Sequence, residues 1–408
     1  MLEDLLQRRP YNAVTDLIDA PVERGLGGKT AFIDADRTLT YGDLQARSCQ
    51  FASALLDIGL RGEERLALLL YDTVDFPMAF WGGVRAGIVA LPLNTLLNTE
   101  QYAYILADSR ASAIVALASL AKTLQPILDR LPRLRTIILV GGSADDRAAF
   151  AAAGRDVHDF SELVARGRAE LFTAPTLSDE VAFWLYTSGS TGEPKGVKHV
   201  HTTPLAAARL MGRHIIGIRE DDVVFSAAKL FFSYGLGNAM AFPLSVGATS
   251  VLLPQRATPE AVFEVLRRQR PTIFYGGPTL YASLLAHKDM TRGAGSDRLR
   301  LCISAGEPLP RALGERWRQA RPLSCCATAS SSCAARPPAK AIGTSASEAG
   351  APLPASGPSP ATNIFATATA IIITAAAPMT CSRSAACGCP RSKSRRRSPR
   401  TRPFSKPP

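Results

Sequence analysis

Short apolar runs alternate with longer stretches of mixed apolar and polar residues between about residue 62 and residue 305. The runs are rich in Val, Ile and Leu, as in buried strands, and the longer stretches have the apolar spacing of amphipathic helices. This alternation predicts an α/β fold in which βα layers surround mostly parallel sheets. The predicted strands span residues 65–70, 88–93, 113–117, 136–140, 181–186, 223–226, 249–252, 272–275 and 299–303, and the predicted helices span residues 74–86, 100–107, 259–268 and 278–286.

The composition predicts a folded body, residues 1–320, and a different tail, residues 321–408. The tail holds 13 of the 29 prolines and six of the eight cysteines. Its large apolar side chains are too few to offset the chain entropy lost on folding, so the tail is predicted to be largely disordered. Within the body, residues 172–179 read FTAPTLSD and predict a linker between two sub-blocks.

Nearly all of the net charge of +12 comes from the tail, which holds 12 basic side chains and one acidic. The near-neutral body therefore argues against nucleic acid as a partner. Two weaker alternatives concern the tail. The basic residues 391–400 could bind nucleic acid, and Cys381, Cys387 and Cys389 could bind a metal ion. The apolar run at residues 361–379 is too diluted by polar residues to span a membrane. The N-terminal residues do not resemble a secretory signal, which predicts a cytoplasmic location.

The strand predicted at residues 181–186 leads directly into a loop rich in glycine and hydroxyl groups. Residues 187–196 read TSGSTGEPKG. The glycines let the backbone turn tightly and present N–H groups to an anion, the hydroxyls add donors, and Lys195 adds a positive charge. The order of Gly, Lys and Ser/Thr differs from that of the P-loop of NTPases. The string therefore predicts a phosphate-binding loop of another type.

This string resembles the signature of the adenylate-forming superfamily, which includes acyl- and aryl-CoA synthetases. The resemblance extends over about residues 10–320 and is closest to benzoate-CoA ligases and 4-hydroxybenzoate-CoA ligases. The narrower similarity lies in residues 11–13 (YNA), 29–34 (KTAFID), 72–77 (DTVDFP), 94–97 (NTLL), 102–110 (YAYILADSR) and 229–238 (KLFFSYGLGN). The resemblance implies the large N-terminal domain of the adenylate-forming fold.

The resemblance also implies a two-step reaction. A carboxylate attacks the α-phosphate of Mg-ATP to give an acyl-adenylate and pyrophosphate, and the thiol of coenzyme A then displaces AMP. The implied cofactors and co-substrates are ATP, Mg²⁺ and coenzyme A, and the implied partner is a small aromatic carboxylate. Catalysis would depend on positioning and on groups that hold charge on phosphate oxygens. No catalytic residue and no metal ligand is assigned in this chain.

Three segments supply the predicted site residues. The loop would hold the β- and γ-phosphates through Thr187, Ser188, Gly189, Ser190, Thr191, Gly192 and Lys195. By resemblance, an acyl-pocket segment would contact the aromatic acid through Phe232, Ser233, Tyr234 and Gly235. A third segment would line the adenine through Ser304, Ala305, Gly306, Glu307 and Pro308.

Other side chains close to these segments are given different roles. Phe231 is interpreted as a core aromatic. His199 and His201 have a spacing that does not suit a common zinc site, and structural or substrate-channel roles are predicted for them.

The resemblance is expected to end near residue 320, so residues 1–320 would be a partial adenylation (AMP-binding) domain. The family continues with a Thr-Glu pair that helps hold magnesium, an Asp that binds ribose, and a small C-terminal lid domain with a catalytic Lys. No counterpart of these is found in residues 321–408, which resemble the product of a shifted reading frame. The chain is therefore predicted to be a defective aromatic acid-CoA ligase. The alternatives are a non-catalytic remnant that binds nucleotide or aromatic acid, and a ligase for a different small carboxylate.

Overall fold

A computed structural model describes Leu5 and residues 7–187, 193–291, 295–320 and 371–373. These residues all belong to one compact unit, Met1–Ala375. A second unit, Ala376–Pro408, and nearly all of the tail predicted to be disordered lie outside the described residues. Within the described part of the chain, no helix is both long and apolar enough to cross a membrane.

The described strands form two mixed sheets. The strands are β1 (Thr30–Ile33), β2 (Thr38–Thr40), β3 (Arg65–Leu69), β4 (Val89–Pro92), β5 (Ala113–Leu117), β6 (Thr136–Val140), β7 (Asp156–Asp159), β8 (Val181–Thr187), β9 (Lys195–Val200), β10 (Val223–Ser226), β11 (Thr249–Val251), β12 (Ile273–Gly276), β13 (Leu301–Ser304) and β14 (Ile371–Ile373). The first sheet has the order β7-β6-β5-β3-β4-β8-β9, and the second has the order β14-β13-β12-β10-β11-β1-β2.

Helices cover the faces of these sheets. The α-helices are α1 (Tyr41–Asp57), α2 (Asp75–Arg85), α3 (Thr99–Asp108), α4 (Ala118–Ala121), α5 (Ala144–Ala152), α6 (Phe160–Arg166), α7 (Thr203–Ala207), α8 (Ser233–Leu236), α9 (Phe242–Val246), α10 (Pro259–Gln269), α11 (Pro278–Ala286) and α12 (Arg311–Ala320). Segments with tighter or wider helical turns span Thr15–Asp19, Val22–Leu26, Lys122–Arg130, Ala208–Ile216 and Gly237–Ala241. Caps fix several helix starts; at α1, for example, Thr40 accepts from the Asp43 N–H and Asp43 accepts from the Thr40 N–H.

The prediction of mostly parallel sheets is confirmed. Among the described strands, the pairs β8–β9, β1–β2 and β13–β14 are antiparallel and the other ladders are parallel. The central strand β3 is buried along nearly its whole length, as is expected of a parallel strand covered by helices on both faces. The carboxyl ends of the parallel strands within each sheet therefore point the same way, and the loops that carry the predicted site leave from those ends.

The sequence analysis predicted that residues 172–179 form a linker between two sub-blocks. The structure shows that they do not separate the body in this way. Strand β8 follows it and pairs with β4, so the first sheet continues across the stretch. Thr176 is buried and exchanges hydrogen bonds with Tyr11, whose N–H lies 2.7 Å from the Thr176 carbonyl. The fully buried Arg85 donates to the Phe172 carbonyl and forms an ion pair with Asp19 at 2.7 Å. Polar composition was a poor guide here because the backbone polar groups are satisfied by buried partners.

One short strand comes from the predicted tail. Strand β14 pairs antiparallel with β13, with Ile372 opposite Ile303. The prediction of disorder therefore does not hold for Ile371–Ile373. The pairing also gives β13 a neighbour on the edge of the second sheet.

Candidate active site

A cavity of about 680 Å³ lies at the carboxyl ends of strands from both sheets. Its wall includes Thr187 at the end of β8, Phe232 and Ser233 after β10, and Gly306 after β13. These residues come from the three segments that the sequence analysis singled out. The other lining residues, most of them apolar, are Pro92, Leu93, Asn94, Leu97, Gln101, Ile105, Leu185, Tyr186, Pro194, Val197, His199 and Phe231. Ligands of open α/β sheets bind at this end of the strands.

The predicted phosphate loop is the connection of the β8–β9 hairpin. Thr187 pairs with Lys195 at the end of the ladder, and both side chains are exposed. The predicted residues Ser188, Gly189, Ser190, Thr191 and Gly192 lie outside the described residues. The hairpin therefore holds the two ends of the loop together at the mouth of the cavity, where Thr187 forms part of the wall.

The predicted acyl-pocket segment contributes to the cavity wall through its first part. Phe232 is 48% exposed and lines the cavity with Ser233. The interpretation of Phe231 as only a core aromatic is incomplete, because this residue is buried and also lines the cavity. Its ring packs on that of Phe232 at a centroid distance of 4.6 Å. The two rings are inclined to each other by 59° and together form an aromatic part of the cavity wall.

Tyr234 and Gly235 are not among the residues that line this cavity. The hydroxyl of Tyr234 donates to the carbonyl of Ile303 at 3.3 Å, so it connects the acyl-pocket segment to the strand before Ser304. Burial raises the pKa of Tyr234, which keeps the phenol protonated as a donor. A Cβ atom at Gly235 would lie 2.1 Å from the Lys229 carbonyl oxygen. Tyr234 and Gly235 therefore hold the segment in place without lining the cavity.

Lys229 and Asp72 anchor the same segment, and the sequence analysis did not assign them a role. The Lys229 ammonium donates to the carbonyls of Leu253 and Gln255 and lies 3.9 Å from a carboxylate oxygen of Asp72. Asp72 also accepts from the Leu230 N–H at 3.2 Å. Burial raises the pKa of Asp72 to about 7, although the charge of Lys229 lowers it. The resemblance covered both residues, but their contact joins the two sheets and is not visible in the sequence.

The third predicted segment meets the cavity through one residue. Gly306 has a φ of 92° and lines the cavity, so the backbone there adopts a conformation that favours glycine. Ser304 and Ala305 are buried, whereas Glu307 and Pro308 are exposed. The Ser304 hydroxyl is buried and has no hydrogen-bond partner among the described residues. Of this segment, Gly306 therefore brings its backbone to the cavity wall, and the contact with adenine stays a prediction.

The two histidines after the loop have separate environments. His201 is buried, and its Nδ1 accepts from the Ala13 N–H at 3.2 Å, which ties the N-terminal segment to the end of β9. His199 lies within β9 and lines the cavity, and its ring stacks on Phe183 at a centroid distance of 4.6 Å. Burial lowers the pKa of each imidazole to about 4, so both are neutral near pH 7.

Two further observations limit where the chemistry can lie. A second cavity, of about 720 Å³, is bounded by residues of α1, α2 and α6, among them Arg47, Met78 and Phe160, and contains none of the predicted site residues. Within the described part of the chain, no group of three or more His, Cys, Asp or Glu side chains is arranged to hold a metal ion. The smaller cavity is therefore the candidate active site.

Comparisons with known proteins show which proteins this chain resembles. The chain is 48% identical over 310 residues to a 4-hydroxybenzoate--CoA/benzoate--CoA ligase of Rhodopseudomonas palustris, covering 76% of this chain and 56% of that protein. It is 47% identical to a benzoate--CoA ligase of Thauera aromatica, with the same two coverages. The chain thus spans a little over half the length of these curated relatives.

Two solved structures of CoA ligases superpose on most of this chain. A benzoate CoA ligase from Burkholderia xenovorans superposes with a TM-score of 0.68 at 40% identity, over 76% of this chain and 58% of the other. An anthranilate CoA ligase in complex with anthranoyl-AMP superposes with a TM-score of 0.73 at 34% identity, over 79% and 59% of the two chains. The family model described as AMP-binding enzyme matches residues 20–355, which extends past residue 320, where the resemblance was expected to end. This chain belongs to the AMP-binding enzyme family.

Proposed function

We propose that this chain binds ATP and a small aromatic carboxylate as for acyl-adenylate formation, the first half of an aromatic acid-CoA ligase reaction, and that its turnover is defective because residues 321–408 show no counterpart of the family's magnesium Glu, ribose Asp and lid-domain Lys. One observation carries the proposal: a single cavity brings together Thr187, the Phe231–Phe232 wall and Gly306. The relatives named benzoate--CoA ligase support an aromatic acid as the substrate. Transfer of the acyl group to coenzyme A, the second half of the reaction, is expected to be defective for the same reason.

Each part of the cavity has a task in this reaction. The rings of Phe231 and Phe232 would pack against the aromatic ring and exclude water from it. Thr187 and Lys195, at the two ends of the loop, would hold phosphate oxygens while negative charge moves onto the leaving pyrophosphate. The backbone at Gly306 would lie against the adenine, with no side chain between them. The reaction is then accelerated by holding the carboxylate close to the α-phosphate.

The magnesium ion of the family would neutralise phosphate charge when bound. The described residues offer no cluster of carboxylates for it, so we assign no residue of this chain as its ligand. We further propose that residues 1–320 form the nucleotide- and acid-binding body and that residues 321–408 do not contribute to binding.

Isothermal titration of ATP, benzoate and palmitate into the purified chain tests the substrate class. We expect binding of ATP and benzoate and no binding of palmitate, because a wall formed by the rings of Phe231 and Phe232 favours an aromatic ring over a long acyl chain. Benzoate-dependent release of pyrophosphate and formation of AMP would be assayed separately, with and without coenzyme A. Binding of palmitate in preference to benzoate would contradict the proposed substrate class.

A pair of lysine variants tests the role of the loop. Lys195→Ala should weaken ATP binding about tenfold or more, since it removes a charge-assisted contact to phosphate. Lys198→Ala is the matched control: it lies three residues further along β9, and its ammonium sits 5.2 Å from the centroid of the Trp184 ring. Equal losses of ATP affinity in the two variants would argue against a specific phosphate contact at Lys195.

A further inference from the structure

His199 is a polar side chain in a mostly apolar part of the cavity wall. It pairs with Phe183 across the β8–β9 ladder, and the two rings stack at an angle of 9°. The residue is only 7% exposed, and among the described residues its side chain has no hydrogen-bond or ion-pair partner. The stacking fixes the plane of the imidazole and leaves its nitrogen atoms available to whatever fills the cavity.

Three other polar side chains of the wall do have hydrogen-bond partners. The side-chain oxygen of Asn94 accepts from the Leu96 N–H, and that of Gln101 accepts from the Asn98 N–H. The hydroxyl of Tyr186 donates to Asp108. Among the described residues, His199, Thr187 and Ser233 are the polar lining side chains without a partner in the protein. A buried polar group without a partner is unfavourable, so the cavity favours an occupant that supplies one.

His199 and the loop lie at different ends of the hairpin. Lys195 begins β9 at the loop, and His199 is four residues further along the strand. At about 3.4 Å per residue, the two backbone positions are about 14 Å apart. An acid whose carboxylate faces the phosphates would therefore direct the opposite side of its ring towards His199.

The charge of the imidazole restricts what it can recognise. Burial keeps the ring neutral near pH 7, with one N–H donor and one nitrogen acceptor. A neutral ring cannot balance a second carboxylate, but it can exchange a hydrogen bond with an uncharged substituent. A hydroxyl can act as donor or acceptor and suits either nitrogen.

We propose that His199 is a specificity-determining residue that hydrogen-bonds a hydroxyl group on the ring of the aromatic acid. The inference rests on the proposed function, because it requires the aromatic acid to occupy this cavity. His199 takes no part in bond making or breaking. It sets the preference between hydroxylated and unsubstituted rings.

Isothermal titration of benzoate and 4-hydroxybenzoate into the full chain and its variants tests the proposal. His199→Leu should lower the affinity for 4-hydroxybenzoate about tenfold, which is the cost of one lost hydrogen bond, and should change the affinity for benzoate by less than about twofold. His199→Gln keeps a donor and an acceptor and should restore part of the preference. His158→Leu is the matched control, because His158 lies in β7 at the opposite edge of the same sheet.

A second readout does not depend on the variants being folded. In the chain labelled with ¹⁵N-histidine, 4-hydroxybenzoate should shift the His199 ring nitrogens and benzoate should leave them nearly unchanged. Equal losses of affinity for benzoate and 4-hydroxybenzoate in His199→Leu would overturn the role of His199. Failure of both acids to bind the unmodified chain would instead contradict the proposed function, and the inference with it.

Discussion

At the scale of single residues, the two histidines show how neighbouring positions acquire different tasks. His199 and His201 are both buried and neutral, yet the ring of His201 accepts a backbone hydrogen bond and that of His199 faces the cavity. The sequence analysis predicted structural or substrate-channel roles for the pair and could not divide them. The division depends on Ala13, which is far away in sequence, so no local pattern contains it.

The neutral state of His201 predicts a dependence of stability on pH. Its folded-state pKa of about 4 lies below the ordinary value of 6.5, so between these values the folded state binds fewer protons than the unfolded chain. The stability that His201 contributes is complete above about pH 6.5 and falls as pH is lowered towards 4. Protonation of Nδ1 would also remove the acceptor for the Ala13 N–H.

Urea denaturation of the chain and of His201→Asn, at intervals from pH 7.5 to pH 5, measures this contribution. The Asn side chain can still accept a hydrogen bond but does not titrate. The unfolding free energy of the unmodified chain, minus that of the variant, should become smaller as pH falls. The difference between the two proteins is used because the raised pKa of Asp72 affects both of them. It makes the unfolding free energy change with pH in the opposite direction over the same pH range. A difference independent of pH would show that His201 does not titrate with folding.

At the scale of elements, most inner strands were predicted, whereas the inner strand β1 and the edge strands were missed. The predicted strands at 113–117, 136–140 and 223–226 match β5, β6 and β10 residue for residue. Their runs of Val, Ile and Leu are buried on both faces, so composition alone marks them. The edge strands β7 and β9 read DVHD and KGVKHV, and both were missed. An edge strand faces solvent on one side and keeps polar residues, which hides it from a hydrophobic pattern.

The candidate site, too, could be predicted only in part from the sequence. Motif strings located the loop, the acyl-pocket segment and Gly306, because close approach of a backbone to a ligand restricts the residue types allowed. The same strings did not separate residues that line the cavity from those that support it. Phe231 proved to be in the wall, whereas Tyr234 and Gly235 lie behind it. That distinction depends on which loop packs against which sheet, and it exists only in three dimensions.

The packing of Gly235 predicts that the acyl-pocket segment does not tolerate even a methyl group there. In Gly235→Ala the Cβ atom would lie 2.1 Å from the Lys229 carbonyl oxygen and 2.5 Å from that of Ala228. Since both neighbours are backbone atoms, the segment must move, and we expect a loss of about 1–3 kcal/mol in unfolding free energy. Benzoate affinity should fall as well, because Phe231 and Phe232 would move with the segment.

Chemical denaturation and benzoate titration would be carried out on Gly235→Ala beside Gly28→Ala. A Cβ at Gly28 meets no atom within 4 Å, so this second variant controls for the change in backbone entropy. If the two variants were equally stable and bound benzoate equally well, the close packing of Gly235 would not matter to the site.

At the scale of the whole molecule, the cavity exists because two sheets present their strand ends to each other. The Asp72 carboxylate follows β3 of the first sheet, and Lys229 follows β10 of the second. Their contact, and the hydrogen bond from the Leu230 N–H to Asp72, join the sheets directly behind Phe231. The shape of the aromatic wall is therefore a property of the assembled body and not of either sheet alone.

The outer edge of the second sheet gives a prediction about the part of the chain beyond residue 320. Strand β14 supplies the hydrogen-bond partners of β13 along Cys302, Ile303 and Ser304, next to the segment that leads to Gly306. Without that strand, β13 would present unpaired N–H and C=O groups, which favour pairing with another copy of the chain. A chain ending at residue 320 should lose about 1–3 kcal/mol of stability, the net worth of two hydrogen bonds. It should also self-associate as its concentration rises.

A chain ending at residue 375 is the matched control, because it keeps β14 and ends where the compact unit Met1–Ala375 ends. Thermal unfolding and light scattering of the two shortened chains and the full chain would be compared at several concentrations. We expect the chain ending at 375 to behave like the full chain. Ile372→Pro in the full chain removes one backbone donor from β14 and should reproduce part of the loss seen at 320. If all four proteins unfolded at the same temperature and stayed monomeric to the same degree, the edge of β13 would not need β14, and the tail would be dispensable to the body.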